Sequence, residues 1–376
     1  SAMLSFLPKT IIHNGASDFQ RDVSRYWRHV RRTNRLNVTA NGWIYKNSFK
    51  HVLAALNSPP DAPNDESGNL RLWFIRRLLT CVGDFKLQNG SELLVNETPA
   101  LLQMPMADRI RHCFETWRDG KVWSEFVDLI GEAPENESQL WVAPELNKAR
   151  STFLRVVARL SANDPQRWVS LTEIIDYLRR TEYEWLFPRT FRGKNLKKSN
   201  SIYKSPYYYE NNPYRITFSG VDSEEQGWLK VEVSAIFALL NRPLSWLGVV
   251  DMGYADSLTS KHTHEIGYRL TETGAWLLGL GPQPKFVESG GRVIVQPNFT
   301  ILAMEPIPDS VILELDTFAE SKGGDRVLNY ELSRASVYRA QTKGKSVAEI
   351  IQFLEQHQGG PIINNVRRTL EEWDAL

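Results

Sequence analysis

Cysteine is scarce in this chain: Cys81 and Cys113 are the full complement in 376 residues. Two thiols build neither a disulfide framework nor a four-ligand metal centre. Their scarcity fits a reducing cytosol, so a cytoplasmic location is expected. No apolar run approaches the roughly 18 residues that a membrane-spanning helix needs, so no membrane partner is expected. Net charge is almost absent as well, at +1 from 45 Lys or Arg against 44 Asp or Glu. Whole-chain charge therefore selects no partner, and only its distribution is informative. The Gly-x-Ser-x-Gly, His-Glu-x-x-His and Rossmann glycine patterns are missing too. No catalytic residue, cofactor or metal is expected, and the chain is read as a non-enzyme.

Two short motifs test that reading. Gly344-Lys345-Ser346 imitates the end of a P-loop, but Arg339 stands where the motif needs its first glycine. Ser346 is better used as a helix cap. His262 and His264 lie two apart beside Glu265. Alternate strand positions can share a metal, yet no third or fourth ligand follows in sequence. A metal-dependent enzyme built on these histidines remains a third reading, behind two binding readings.

The chain does have size and aromatics. Its length suggests two or three domains, and 42% hydrophobic residues with twelve Trp can supply a large core. Ser1-Ala-Met reads as a cloning scar before a native start at Met3, and the chain is expected to be a piece of a longer polypeptide.

The first region, 1–125, reads as three helices and a hairpin. Ser17 and Gln20 have the spacing of a capping box for a helix at 17–32. Phe19, Val23, Tyr26 and Val30 share one face of it. Arg21, Arg25, Arg28, Arg32 and Arg35 fall on another. Residues 1–50 hold nine Lys or Arg and two acids. A solvated helix face and a basic stripe for phosphates both fit. Helices at 46–56 and 70–82 complete the three, two strands follow around Asn89-Gly90, a hairpin turn pair, and a helix at 106–118 comes after them. This is the winged-helix order.

The second region, 126–286, repeats the plan. A helix at 145–161 precedes one capped by Ser170 with Glu173 at the box position. A helix at 229–240 then leads to strands either side of a loop at 255–265. Val95-Asn-Glu-Thr-Pro-Ala-Leu-Leu echoes Leu270-Thr-Glu-Thr-Gly-Ala-Trp-Leu, each after a hairpin, as a duplicated unit would. An insertion at 186–214 carries Arg189, Arg192, Lys194, Lys197, Lys198 and Lys204, with no acid between Trp185 and Glu210. Tyr203, Tyr207, Tyr208, Tyr209 and Tyr214 are interleaved. Cations track phosphates and aromatic faces stack on unpaired bases; an ordered insertion packed on its own domain is the competing reading. Tyr207 is counted with these cations among the candidate nucleic-acid contacts.

The third region, 287–376, follows a hinge-like Gly279-Leu-Gly-Pro-Gln-Pro. Strands at 292–296 and 299–304 precede a helix at 309–321. Tyr330–Leu332 reads as a short strand. Ser333 caps a helix at 334–343, and Ser346 with Glu349 caps one at 347–357. Pro361 suits a first helical position for a last helix at 362–375.

Three stretches of this region carry a resemblance: Val293-Ile-Val-Gln-Pro-Asn-Phe, Tyr330-Glu-Leu-Ser-Arg-Ala-Ser-Val-Tyr-Arg-Ala and Ile350-Ile-Gln-Phe-Leu. The last 85 or so residues resemble the N-terminal accessory domain of XPB-type DNA helicases. The upstream part resembles the N-terminal regions of large bacterial proteins that carry this helicase-associated domain. The resemblance implies a scaffold or regulatory role around a DNA-translocating machine, in repair or phage defence. In the eukaryotic relative the domain docks on a partner subunit of the transcription and repair factor IIH. By that analogy Val293, Val295, Phe299 and Ile301 are the candidate docking surface. No helicase motor motif is present, so no ATPase activity is implied.

The expected fold class is α+β, mainly α: tandem winged-helix units followed by a small XPB N-terminal-like α/β domain. The expected function is DNA binding, duplex or single-stranded, and positioning of a helicase or nuclease partner, in trans or further along the same chain. The alternative is a protein–protein adaptor without DNA affinity.

Overall fold

The computed structural model describes residues 5–127, 129, 141–197, 201–221 and 223–375. The chain is mixed α/β, about 48% helical and 14% strand, with small antiparallel sheets. It divides into two compact units, Ser1–Pro284 and Lys285–Leu376. Among the described residues no helix is long and apolar enough to cross a membrane.

The first unit starts with strand Thr10–Ile12 and helix Ala16–Thr33. That helix buries Phe19, Val23, Tyr26, Trp27 and Val30, a stripe at helical spacing. It is capped by Gly15, so Ser17 lies inside the first turn and the expected capping box does not form. Gln20 is instead buried, its amide reaching Cys113 Sγ at 3.4 Å. Helices Lys46–Ala55, Leu70–Cys81 and Met106–Asp119 follow near the expected bounds. Asn69 caps the second of these by accepting from the Leu72 N–H. Phe85–Gln88 and Glu92–Val95 form the expected hairpin. Asn89 and Gly90 both have positive φ, 53° and 69°, which the two-residue turn requires. Strand Leu36–Asn37 pairs with Glu92–Val95, so the third strand in sequence is central.

The later part of this unit has the same order. Helix Pro144–Leu160 leads to strand Val169–Ser170 and helix Leu171–Thr181, capped by Ser170 as expected. A continuous helix over 224–244 includes two π-turns, Trp228–Glu232 and Leu240–Leu244. It is longer than the expected 229–240. Val250–Tyr254 and Ile266–Leu270 then form a hairpin, with Val169–Ser170 beside the second strand. As in the first hairpin, the second strand of the pair, here Ile266–Leu270, has a partner on both sides. Each hairpin is also closed by the same bond. The Asn96 N–H donates to Asp84 O at 2.9 Å, and the Thr271 N–H to Val249 O at 3.1 Å. These are equivalent positions in the sequence echo.

The parts of the chain before and after residue 125 fall in the same compact unit, Ser1–Pro284. Trp73 stacks edge-on to Trp43 and Trp123, and Trp123 meets Trp246 at 5.7 Å. Strand Thr10–Ile12 pairs with Val250–Tyr254 across some 240 residues. Residues 10–12 thus belong to the later sheet.

The second unit is a four-stranded antiparallel sheet, in the order Arg292–Val295, Thr300–Met304, Val327–Glu331, Glu320–Gly323. Helix Asp309–Phe318 stops before the expected 321, and Glu320–Gly323 is an edge strand. Ser333 caps Arg334–Thr342 in a reciprocal box with Ser336, and Ser346 caps Val347–Gln358. The last helix begins at Asn364, so Pro361 lies before it and not at its first position. Val293, Val295 and Ile301 are buried in this unit's own core beside Leu315, Tyr330 and Leu354. That burial corrects the expected docking surface: alternation on these strands serves the core. Phe299 is half-buried against Trp373.

Candidate nucleic-acid interface

The arginine series on the first helix is not a continuous exposed stripe. Arg25 and Arg28 are buried, which corrects their placement as phosphate contacts. Arg21 reaches Asp18 at 3.5 Å, and Arg35 donates to Glu92 at 3.0 Å. Arg32 and Arg35 are exposed at the helix end. A 3.6-residue period brings every seventh residue to nearly the same face, yet Arg25 and Arg28 are buried while Arg32 and Arg35, seven residues on, are exposed.

The helix Leu70–Cys81 also spends its cations internally. Arg76 forms a bidentate pair with the buried Glu66, at 2.6 and 2.7 Å. Arg71 bonds Asp22 at 2.6 Å. Arg77 donates to the carbonyls of Val122 and Lys121, both at 2.7 Å. None of these side chains is presented for base-edge contact.

The insertion is built around a buried ion pair. Arg189 is 1% exposed and Tyr207 fully buried, so neither is a nucleic-acid contact as placed. Arg189 donates to Glu232 Oε2 at 3.3 Å, to the Phe187 carbonyl at 2.8 Å, and to Glu224. The Tyr207 hydroxyl donates to the same Glu232 oxygen at 3.1 Å. Burial pushes the Tyr207 phenol up, keeping it a neutral donor. Burial also raises the Glu232 carboxyl to about 7, against the lowering effects of Arg189 and Tyr207. Glu232 Oε1 has no hydrogen-bond partner among the described residues.

This anchor holds a small hairpin, Thr190–Phe191 paired with Lys194–Asn195. The Leu196 N–H closes it onto the Arg189 carbonyl at 2.8 Å, and Leu196 is itself buried. Arg192 and Gly193 turn the chain with φ of 49° and 78°. Arg192 lies 5.1 Å from the centre of the Phe191 ring. Arg192, Lys194, Lys197 and Lys204 are exposed, and none makes an ion pair among the described residues. Lys198 lies outside the described residues. Beside Lys204, Tyr203 and Tyr209 are 67% and 46% exposed. Both pack on Tyr208, at ring distances of 5.2 and 4.7 Å. The exposed tyrosines of the insertion are therefore Tyr203 and Tyr209, two of the interleaved rings the sequence offered for stacking, whereas Tyr207 is core. Chemically, the arrangement offers phosphate partners beside two ring faces.

The other sequence candidates carry less. His262 and His264 stack at 5.6 Å, and His264 is 3.8 Å from Glu265. No group of three or more His, Cys, Asp or Glu among the described residues could hold a metal ion. In Gly344-Lys345-Ser346, Ser346 accepts the Glu349 N–H at 3.1 Å and Lys345 pairs with Glu314. Both side chains have structural work there.

Comparison with known families places residues 293–375 in a match to the helicase conserved C-terminal domain. That match supports a helicase-associated domain at the C-terminal end and is consistent with a helicase-linked module. No curated protein matches the chain.

Proposed function

We propose that this chain is a non-catalytic DNA-binding module that positions or regulates a helicase or nuclease. The two repeats of helix, strand, helix, helix and hairpin are read as winged-helix units, and the C-terminal unit as an XPB-like accessory domain. The observation that carries the DNA reading is the hairpin at 190–195. It projects Arg192 and Lys194 from a buried Arg189–Glu232 anchor, with Lys197, Lys204 and exposed tyrosines alongside. Cations of this kind pair phosphates, and exposed rings stack on unpaired bases. The partner would act in trans or lie further along the same chain. A cytoplasmic repair or phage-defence setting follows from the resemblance alone.

The test is fluorescence anisotropy with labelled duplex, forked and single-stranded DNA. The charge-reversal variant Arg192→Glu/Lys194→Glu/Lys197→Glu is expected to bind at least tenfold more weakly than the wild type, because each lost phosphate contact weakens binding at fixed salt. Equal affinities would sink the hairpin as a DNA contact.

A second reading is a protein adaptor without DNA affinity. The internal commitment of Arg71, Arg76 and Arg77 favours it, since a groove-reading helix keeps such side chains free. An adaptor would show no DNA binding at low salt and would ignore the charge reversal.

A further inference from the structure

The C-terminal unit is acidic as a whole, with ten Lys or Arg against thirteen Asp or Glu over 285–376. One helix departs from that background. Between Glu331 and Glu349 there is no acid, while Arg334, Arg339, Lys343 and Lys345 all fall there. Helix Arg334–Thr342 buries Ser336, Val337 and Ala340. Its outward side presents Arg334, Ala335, Tyr338, Arg339 and Thr342, with Lys343 just past its end.

Two of the cations have structural duties. Arg339 donates to the carbonyls of Asp316 and Ala319 at 3.4 and 3.5 Å, and Lys345 pairs with Glu314. Arg334 and Lys343 make no ion pair among the described residues. Between them stands Tyr338, 66% exposed. The unit's other tyrosine, Tyr330, is fully buried in the core. Tyr338 is thus an aromatic ring left in water, with no packing role in this unit. Arg334 and Tyr338 are one turn apart on one side of the helix.

We propose that this helix face is a separate contact for single-stranded nucleic acid. Arg334 and Lys343 pair phosphates, and Tyr338 stacks on an unpaired base. The exposed ring selects single strands over duplex, because a paired base offers no free face for stacking. The proposal concerns the C-terminal unit and does not depend on the 190–195 hairpin.

The experiment uses the full chain and a labelled oligo-dT 20-mer, with a duplex of equal length, at physiological salt. Tyr338→Ala is expected to lose about fivefold or more in single-strand affinity, with duplex affinity unchanged within twofold. Tyr338→Phe, which keeps the ring face, should restore the loss. Arg334→Glu/Lys343→Glu should weaken single-strand binding at least as much. Because all three side chains are exposed, circular dichroism should show an unchanged melting temperature. If these variants leave single-strand affinity within twofold while the 192/194/197 reversal abolishes it, this proposal fails and the hairpin reading stands. If the reverse holds, the helix face is the contact and the hairpin is not. A wild-type chain that binds neither probe overturns both.

Discussion

Arg189 and Glu232 face each other at 3.3 Å with almost no access to water. They join the insertion to the long helix 43 residues further on. A second carboxylate, Glu224, holds the other edge of the same guanidinium, and Tyr183 lies 4.8 Å beneath it. Removing one partner of such a pair leaves a buried charge without compensation. Arg189→Met is therefore expected to destabilise the protein by about 3–5 kcal/mol at pH 8, measured by urea denaturation. A loss below about 1 kcal/mol would mean that the insertion is held by packing alone.

The same pair predicts a pH dependence. Burial lifts the Glu232 carboxyl from its ordinary 4.5 to about 7 in the folded protein. Between those values the folded chain holds a proton that the unfolded chain has released. Stability from this group is thus full below about pH 4.5 and is lost as pH rises through 7. Melting temperatures measured from pH 4.5 to 8 should fall further for the wild type than for Glu232→Gln, whose amide does not titrate. Parallel curves for the two proteins would contradict this assignment.

Gly227 marks where the anchor tolerates no added atom. A Cβ built there runs into the Tyr207 ring, which is fully buried and cannot swing away. Gly227→Ala should cost about 1–3 kcal/mol by overpacking, although alanine is the better helix former. An alanine variant as stable as the wild type in the same urea titration would show that Tyr207 can shift.

What the sequence made legible was local. Ser170, Ser333 and Ser346 each accept an N–H three residues on, and such caps depend only on neighbouring residues. The Asn89-Gly90 turn was legible for the same reason. Distant partners decided the rest. Arg76 is buried because Glu66 is, and Arg189 because Glu232 is; no periodicity reports those meetings. Tyr207 and Tyr203 look alike in a chain segment without regular spacing, yet one is core and the other surface. Thr10–Ile12 is too short to read as a strand until Val250–Tyr254 supplies its partner. Glu320–Gly323 contains nothing typical of a strand, and it is ordered by the Val327–Glu331 edge it pairs with.

The salt dependence of DNA affinity tests the central claim most directly. If Arg192, Lys194, Lys197 and Lys204 each neutralise one phosphate, binding to a single strand should weaken with a log–log salt slope of about −3. Anisotropy titrations of the wild-type chain between 50 and 300 mM salt would measure it, those being roughly the conditions where counterion release is resolved. A slope near −3, reduced towards zero by the Arg192/Lys194/Lys197 reversal, is the predicted result. No binding at the lowest salt, or a slope that the reversal leaves unchanged, would contradict DNA recognition by this hairpin.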